Sequence, residues 1–361
     1  MNKNKVRIAV ALSGGVDSAV SAQLLLRAGF AVTGIFMKTY EPEEAYADEC
    51  TWKEDQKSAE AAAKHLGIPF VTWNFEREYT ETVLKYFFRE LKKGRTPNPD
   101  VMCNQDIKFG CFLRKALKEG FSYIATGHYA QLTCTPQHVF ELRRGIDTKK
   151  DQSYFLCRVE QEIFSRVFFP IGHLTKNKVR ELARAFHLPN AERKDSQGIC
   201  FIGKIDVPTF IKRHMKLESG PIKTIDGVVV GSHNGLALYT IGQREGIRIG
   251  GTTEPYYVVD KNPTTNALFV AQGKEHPVLY SSGCVLEDIV WVGPARDFMK
   301  PMFIQIRYQQ KPQSALIAQN TGGDLEVKFI TPQRAVTPGQ LCAIFDDQIC
   351  VASGIISSRV A

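Results

Sequence analysis

Residues 10–20 read Val-Ala-Leu-Ser-Gly-Gly-Val-Asp-Ser-Ala-Val, and the fold turns on this stretch. An apolar run stops at Ser13-Gly14-Gly15, and Asp17 and Ser18 open an amphipathic segment. Strand, glycine turn and helix start, in that order, make a phosphate-binding layout. Glycines let the backbone approach phosphate oxygens, and a helix N-terminus supplies amide donors and the positive end of its dipole. Ser13 and Ser18 add hydroxyl donors. The lysine of the pattern G-x-x-x-x-G-K-[ST] is missing. Asp17 is out of place beside a polyphosphate unless a magnesium ion lies between them, because carboxylate and phosphate repel. The plainer alternative is a tight strand–helix turn with Asp17 complementing the dipole. The full Ser-Gly-Gly-Val-Asp-Ser after an apolar strand favours the phosphate site.

Outward from this stretch, the first 150 residues alternate strand and helix patterns. Strands are predicted at 7–12, 31–37, 70–75 and 123–126, and helices at 17–28, 52–66, 79–93 and 107–119. Gly29, Gly67, Gly94 and Gly120 serve as helix stops. This rhythm predicts an α/β fold with a parallel sheet and helices on both faces. Ligands of such sheets bind beyond the carboxyl ends of the strands, where the Ser-Gly-Gly turn, Met37 and Gly127-His128 all fall. One more helix is predicted at 175–186, with Thr175 as its N-cap. Beyond about residue 210 the texture changes to short strands between Gly, Asn, Asp and Pro turns, at 227–232, 236–240, 256–260 and 267–271. From about 280 onward the pattern is all β, with strands at 303–308, 314–318, 325–329, 340–345 and 349–358. The expected domains are therefore a catalytic domain at 1–208, a small β-rich middle domain at 209–276 and a C-terminal β-barrel at 277–361.

Composition sets the class. The 361 residues are 43% hydrophobic and 23% charged, ordinary for a globular protein with a sizeable core. The net charge of +8 permits a polyanionic partner without requiring one. No apolar run is long enough to span a bilayer, and no signal peptide precedes the first strand, so a cytoplasmic protein with no membrane partner is expected. Nine cysteines are scattered and odd in number, without a C-x-x-C. That pattern is no disulfide framework, and it offers no ligand set for a zinc ribbon or an iron–sulfur cluster, so no protein-held metal is expected.

Two cysteines stand in polar surroundings. Cys103 follows Thr96-Pro97-Asn98-Pro99-Asp100-Val101-Met102, read as a proline-stiffened loop ahead of a helix. A helix N-terminus stabilises a thiolate, and Asp100 is close enough in sequence to act as a proton acceptor. Cys200 lies in Arg193-Lys194-Asp195-Ser196-Gln197-Gly198-Ile199-Cys200, another polar, basic, glycine-containing loop. Together they suggest a dithiol pair, one carrying sulfur and the other attacking it. Each alone reads as well as a structural cysteine.

The loop Ser-Gly-Gly-Val-Asp-Ser resembles that of ATP pyrophosphatases, which cleave ATP between the α and β phosphates and adenylate a substrate. A wider set of motifs occurs in order: Asn98-Pro99-Asp100 with Cys103, Ala125-Thr126-Gly127-His128-Tyr129, Lys150-Asp151-Gln152-Ser153-Tyr154-Phe155-Leu156, Asp195-Ser196-Gln197-Gly198-Ile199-Cys200-Phe201, and Tyr239-Thr240-Ile241-Gly242-Gln243-Arg244. Over essentially the whole chain this resembles the bacterial tRNA-specific 2-thiouridylase family. The resemblance implies an adenine-nucleotide hydrolase-like N-terminal domain. It also implies ATP held by Leu12, Ser13, Gly14, Gly15, Val16, Asp17, Ser18, Ala19, Met37 and Gly127, with Mg2+ alongside. The C2 oxygen of a wobble uridine in tRNA would be adenylated. Cys200 would receive persulfide sulfur from a donor protein, a cysteine desulfurase or sulfur relay, and Cys103 would assist its release, with an alternate Cys103–Cys200 disulfide afterwards. Asn98, Pro99 and Asp100 would meet the base, and His128, Lys150, Asp151, Gln152, Arg307, Tyr308 and Gln340 would contact tRNA. A monomer is expected.

Rival readings are separable on residues. An amide-forming ligase would need the loop but neither Cys103 nor Cys200. A non-catalytic RNA-binding module would not keep Ser13, Gly14, Gly15, Asp17 and Ser18 intact. A cluster-dependent thiolase would need grouped cysteines.

Overall fold

The structure is a computed structural model, and it describes residues 6–41, 52–194, 206–250, 254–293 and 298–361. It opens with β1 (Arg7–Ala11), α1 (Val16–Arg27), β2 (Ala31–Lys38), α2 (Trp52–Leu66) and β3 (Phe70–Asn74). Next come α3 (Glu76–Tyr79), a π-helical turn Thr80–Leu84 and α4 (Lys85–Lys92), which run on without a break. A second unbroken run follows: α5 (Pro99–Met102), a π-helical segment Cys103–Cys111 and α6 (Phe112–Lys118). The domain continues through β4 (Tyr123–Ala125), β5 (Ala130–Cys134), β6 (Phe140–Arg144), β7 (Val167–Phe168) and α7 (Lys176–Ala185).

The sheet is parallel, in the order β3-β2-β1-β4-β7. Ile8, Ala9 and Val10 of the central strand are fully buried, as expected of a strand covered on both faces. The chain leaves β1 toward β2 and β3, then returns to β1's other side at β4. The connections after β1 and β4 therefore diverge, and the crevice between them is the topological switch point where such sheets bind ligands.

The segment around Cys103 differs from its sequence reading. The expected loop is helix from Pro99 onward, and Cys103 lies a full turn inside it. Asn98 is the N-cap, its Oδ1 accepting from Val101 N at 3.2 Å, and Pro99 occupies the first helical position. A proline there loses no intrahelical bond and has the right φ, so Asn-Pro marks a helix start rather than a rigid loop.

The middle domain has α8 (Val207–His214), β8 (Gly220–Thr224), β9 (Val229–His233), β10 (Tyr256–Asn262) and β11 (Ala267–Gln272), with sheet order β10-β11-β8-β9. Residues 236–240, expected as a strand, instead hold a 3-10 turn Leu236–Leu238. The cause is local: Gly235 sits at φ 124, and Leu236 and Tyr239 both drop into a core with Ile222, Val258 and Leu268.

The last domain comprises β12 (Tyr280–Trp291), β13 (Met302–Gln305), β14 (Gln313–Gln319), β15 (Leu325–Arg334), β16 (Leu341–Asp346) and β17 (Ile349–Val360). Their order β12-β15-β14-β13-β16-β17 closes through β12–β17 pairing into a six-stranded barrel, which removes exposed sheet edges. The β5–β6 hairpin of the first domain then pairs with β17, Arg143 opposite Ile349 and Leu142 opposite Cys350. Arg158, almost fully buried, adds a second tie. Its Nη1 and Nη2 donate to Asp288 O and Oδ2 at 2.8 and 2.9 Å, and its Nε donates to Gln105 Oε1 at 2.7 Å. Among the described residues no helix is long and apolar enough to cross a membrane.

The segment before Asn98 is held by both later domains. Thr96 N donates to Pro338 O at 2.9 Å, and Lys261 of β10 donates from Nζ to Thr96 Oγ1 at 3.2 Å and Tyr239 O at 3.0 Å. Burial pushes the Lys261 pKa down to about 8 from its usual 10.5. A lowered lysine pKa means that the unfolded chain binds more protons between these values, so this contribution to stability rises with pH across that window. The unfolding free energy of wild type minus that of Lys261→Met, from denaturant titration, should be flat below pH 7 and climb from about pH 8 upward. A difference that stays constant to pH 10 would place the ammonium in water rather than at this junction.

Candidate active site

The glycine turn after β1 is fixed from behind. Gly14 takes φ +81, and a Cβ there would lie 2.3 Å from Asp55 O, so only glycine fits. Its carbonyl accepts from Ser58 Oγ at 2.8 Å, Asn190 Nδ2 at 2.9 Å and Arg193 Nη1 at 3.2 Å. Asn190 also reaches Gly15 O at 3.2 Å, and Arg193 pairs with Asp55. With the carbonyls bound on that side, the first-turn amides of α1, which have no intrahelical acceptor, are the groups left for an anion. The serines shape the turn. Ser13 Oγ accepts from Gly15 N at 3.4 Å, and Ser18 Oγ accepts from Ser13 N at 3.2 Å while donating to Gly15 O at 3.1 Å. Leu12, Val16 and Ala19 are buried, so their side chains pack into the protein.

Gly127, at the end of β4, abuts this helix start. A Cβ on it would lie 2.8 Å from both Asp17 C and Ser18 N. Met37 stands near the end of β2, buried and paired in register with Trp73. The structure thus brings the loop and Gly127 into contact, and it puts Met37 near the carboxyl end of the strand beside β1.

Asp17 is balanced by a lysine. Lys176 Nζ donates to both its carboxylate oxygens at 2.8 and 2.9 Å, and Tyr129 OH donates to Oδ1 at 2.8 Å. Among the described residues no group of three or more His, Cys, Asp or Glu side chains is placed to hold a metal ion.

Cys103 is fully buried in the core that also contains Val101, Met102 and Ile107. Its helix packs on the turn Ser153–Leu156, with Asn104 Nδ2 donating to Phe155 O at 3.1 Å. Cys200 lies outside the described residues, as does the rest of 195–205. Four other cysteines, Cys157, Cys284, Cys342 and Cys350, lie in the core, while Cys111 is half-buried and Cys134 exposed; burial holds the Cys157 thiol up at about 11, and Cys350 is also raised by burial. A hydrogen bond with Cys284, and burial, raise Cys342.

The expected tRNA-facing residues divide into two kinds. Several have one or more polar atoms hydrogen-bonded within the protein. His128 is buried, its Nδ1 2.7 Å from Thr126 Oγ1, and burial with Lys108 nearby holds it well below the ordinary imidazole range, hence neutral. Asp151 accepts from Arg144 Nη1, Gly145 N, Ser153 N and Ser153 Oγ at 2.8–3.1 Å. Gln152 Oε1 accepts from Tyr129 N at 3.0 Å. Arg307 Nη2 donates to Ile241 O, Ala335 O and Thr337 Oγ1 at 3.0, 2.7 and 3.1 Å, joining middle domain to barrel. Gln340 Nε2 donates to Thr96 O at 2.8 Å, positioning the approach to Asn98. Others are partly exposed: Asn98, Pro99, Asp100, Lys150 and Tyr308, whose ring lies 4.3 Å from that of Phe155. These placements predict a contrast. Arg307→Ala should lower the melting temperature by several degrees, about 1–3 kcal/mol for a lost buried set of hydrogen bonds. Lys150→Ala should lower the melting temperature less than Arg307→Ala and make the log–log salt slope of tRNA binding shallower by about one. Equal melting temperatures for both variants would contradict the assignment of Arg307 to domain joining.

Sequence reading missed Ser58, Asn190, Arg193 and Lys176. Asn190 and Arg193 reach the loop from beyond α7, far along the chain, and Arg193 was legible only as part of the basic stretch before Cys200. Lys176 carried one signal, its position directly after the Thr175 N-cap, which the structure bears out with Lys178 N donating to Thr175 Oγ1 at 3.3 Å.

The chain matches three family models in succession: a tRNA methyl transferase HUP domain over residues 6–204, a tRNA methyl transferase PRC-barrel domain over 208–272 and an aminomethyltransferase beta-barrel domain over 281–356. It is 45% identical to the tRNA-specific 2-thiouridylase MnmA 1 of Geobacillus kaustophilus over 99% of this chain and 96% of that protein. It is 42% identical to the tRNA-specific 2-thiouridylase MnmA of Oceanobacillus iheyensis, over 99% of this chain and 97% of that protein. For the MnmA of Listeria monocytogenes the identity is 43%, over 99% and 96% of the two chains. With its nucleotide-type loop at the switch point of a parallel sheet and its likeness running through all three domains, the chain belongs to the family of tRNA-specific 2-thiouridylases.

Proposed function

We propose that this protein is an ATP-dependent tRNA sulfurtransferase that replaces the C2 oxygen of the wobble uridine with sulfur. The observation that carries the reading is the glycine turn at the β1–β4 crevice. Its carbonyls are bound from behind by Ser58, Asn190 and Arg193, and the amides of α1 remain for phosphate. ATP binds the loop from Leu12 to Ala19, with Met37 and Gly127 beside it. Mg2+ arrives on the nucleotide's phosphates rather than in a protein cage.

The uridine C2 oxygen attacks the α-phosphorus, the α–β P–O bond breaks, and pyrophosphate leaves with the electron pair. A carbonyl oxygen is a poor leaving group, and its adenylate is a good one. Cys200 carries a persulfide supplied by a donor protein. Its outer sulfur bonds to C2 and AMP departs. The Cys103 thiolate attacks the inner Cys200 sulfur, whose S–S bond electrons pass to the sulfur now on C2. The products are 2-thiouridine and a Cys103–Cys200 disulfide, which a thiol reductant reopens. Asn98, Pro99 and Asp100 meet the base, Asp100 accepting a proton. Lys150 and Tyr308 meet the tRNA through phosphate contact and stacking. Asp151, Gln152, Arg307 and Gln340 hold that surface in shape. A monomeric, cytoplasmic enzyme suits this reading.

The test is reconstitution from purified protein, ATP, Mg2+, a sulfide source and unmodified tRNA, read by nucleoside mass spectrometry. A sulfur-for-oxygen mass gain that needs ATP is the expected result. A methyl gain, as the family-model names would suggest, or pyrophosphate release with no sulfur gained, would overturn it.

A further inference from the structure

We propose that Lys176 supplies the cation that the glycine loop itself lacks: its ammonium, held on Asp17 in the free protein, binds the pyrophosphate end of ATP. The inference rests on the ATP reading above and assigns a residue to it that neither the loop motif nor the sequence comparisons single out.

Position comes first. Lys176 is the first residue of α7, and its backbone is fixed there, since its N donates to Asp147 Oδ2 at 2.8 Å behind the Thr175 cap. From this base the side chain reaches the first turn of α1 and grips Asp17 through both carboxylate oxygens. Asp17 is the second residue of α1, so the ammonium stands beside the amides left for an anion. A loop of the G-x-x-x-x-G-K-[ST] type carries its lysine in its own sequence. Here a lysine reaches the equivalent neighbourhood from a helix start far down the chain.

Charge points the same way. The N-terminus of α1 contributes a partial positive charge of about half an electron at this place, while that of α7 is already met by the Asp147 carboxylate. The side-chain charges balance pairwise, Lys176 with Asp17 and Arg193 with Asp55. The α1 terminus is left as a positive surplus, which suits an anion. Asp17 alone would complement the α1 dipole without a partner, so the fold does not require the buried lysine. Lysines are rarely buried to the extent of Lys176, only 9% exposed, and a buried ion pair contributes little net stability over apolar packing. A role in ligand binding accounts for it. When a polyphosphate arrives, it repels Asp17 and attracts the ammonium, and a flexible four-carbon stem lets Nζ shift between them.

The test is titration calorimetry with inorganic pyrophosphate, with EDTA present so that no metal bridges to Asp17. Lys176→Met should weaken pyrophosphate binding at least about tenfold, the loss of a charge-assisted hydrogen bond, and Lys176→Arg should recover part of it. Asp17→Asn should bind as well as wild type or better. The double variant Asp17→Asn/Lys176→Met separates contact from neutralisation, and should stay about tenfold weaker than Asp17→Asn. Recovery of the Asp17→Asn affinity by the double variant, or wild-type affinity in Lys176→Met, would overturn the proposal. Circular dichroism melting confirms that each variant is folded. Wild-type protein that binds neither pyrophosphate nor ATP would instead overturn the nucleotide reading, and Lys176 with it.

Discussion

Cys103→Ser is expected to abolish formation of 2-thiouridine, by at least about a thousandfold, because a serine hydroxyl is a far weaker nucleophile than a thiolate. The substitution is nearly isosteric. Cys103 is fully buried among Val101, Met102 and Ile107, so the hydroxyl should cost about 1–3 kcal/mol of stability, and thiolation is compared per folded molecule. ATP–pyrophosphate exchange in the presence of tRNA should stay within about threefold, since adenylation precedes the cysteine step. Cys200→Ser should give the same split. The comparison cysteines lie in the core: Cys157, whose thiol burial holds at about 11, is protonated at neutral pH. Cys157→Ala should therefore lower stability and leave thiolation per folded molecule unchanged. Ordinary sulfur incorporation by Cys103→Ser would reduce that residue to a packing role.

Gly127→Ala should be nearly as damaging, by a different route. The added Cβ would sit 2.8 Å from Asp17 C and Ser18 N. Both are backbone atoms, so no side chain can rotate away. Helix α1 cannot retreat either, because Ala19, Val20 and Ala22 are buried against neighbouring elements. The end of β4 and the start of α1 must part, and the anion-binding amides move with them. Overpacking of this kind costs about 1–3 kcal/mol of stability, and a displacement near 1 Å at a reacting centre costs on the order of a hundredfold in rate. Pyrophosphate exchange should fall by about that factor. Gly67→Ala is the control: Gly67 has φ +66 but no atom within 4 Å of its would-be Cβ. It should cost only left-handed strain, about 1–2 kcal/mol, and leave exchange per folded molecule intact. Equal exchange rates in both variants would show that the contact at Gly127 does not govern the loop.

The parts of this protein legible in the linear sequence are those governed by neighbours along the chain. The apolar run before Ser13, the glycine turn and the acidic first turn are a local pattern, and the strand–turn–helix they predict is present at β1 and α1. Trp52–Leu66 is helical over the predicted span, since alanine-rich periodicity and a glycine stop suffice there. Misreadings arose where one local signal had two meanings. Asn98-Pro99 looked like a stiff loop but is an N-cap and first helical residue. The β5–β6 hairpin went unpredicted because its strands find much of their support in β17, a pairing between segments more than two hundred residues apart.

Sequence by itself therefore determined the strand–turn–helix at the loop and the α/β, then all-β, succession of the chain, because backbone dihedrals and hydrophobic periodicity are set within a few residues. Tertiary structure alone decided what surrounds the loop. Asn190 and Arg193 bind its carbonyls, Gly127 leaves room for its helix, and Lys176 balances Asp17. Hydrogen bonds and ion pairs act over about 3 Å in space regardless of distance along the chain, so no window on the sequence contains them.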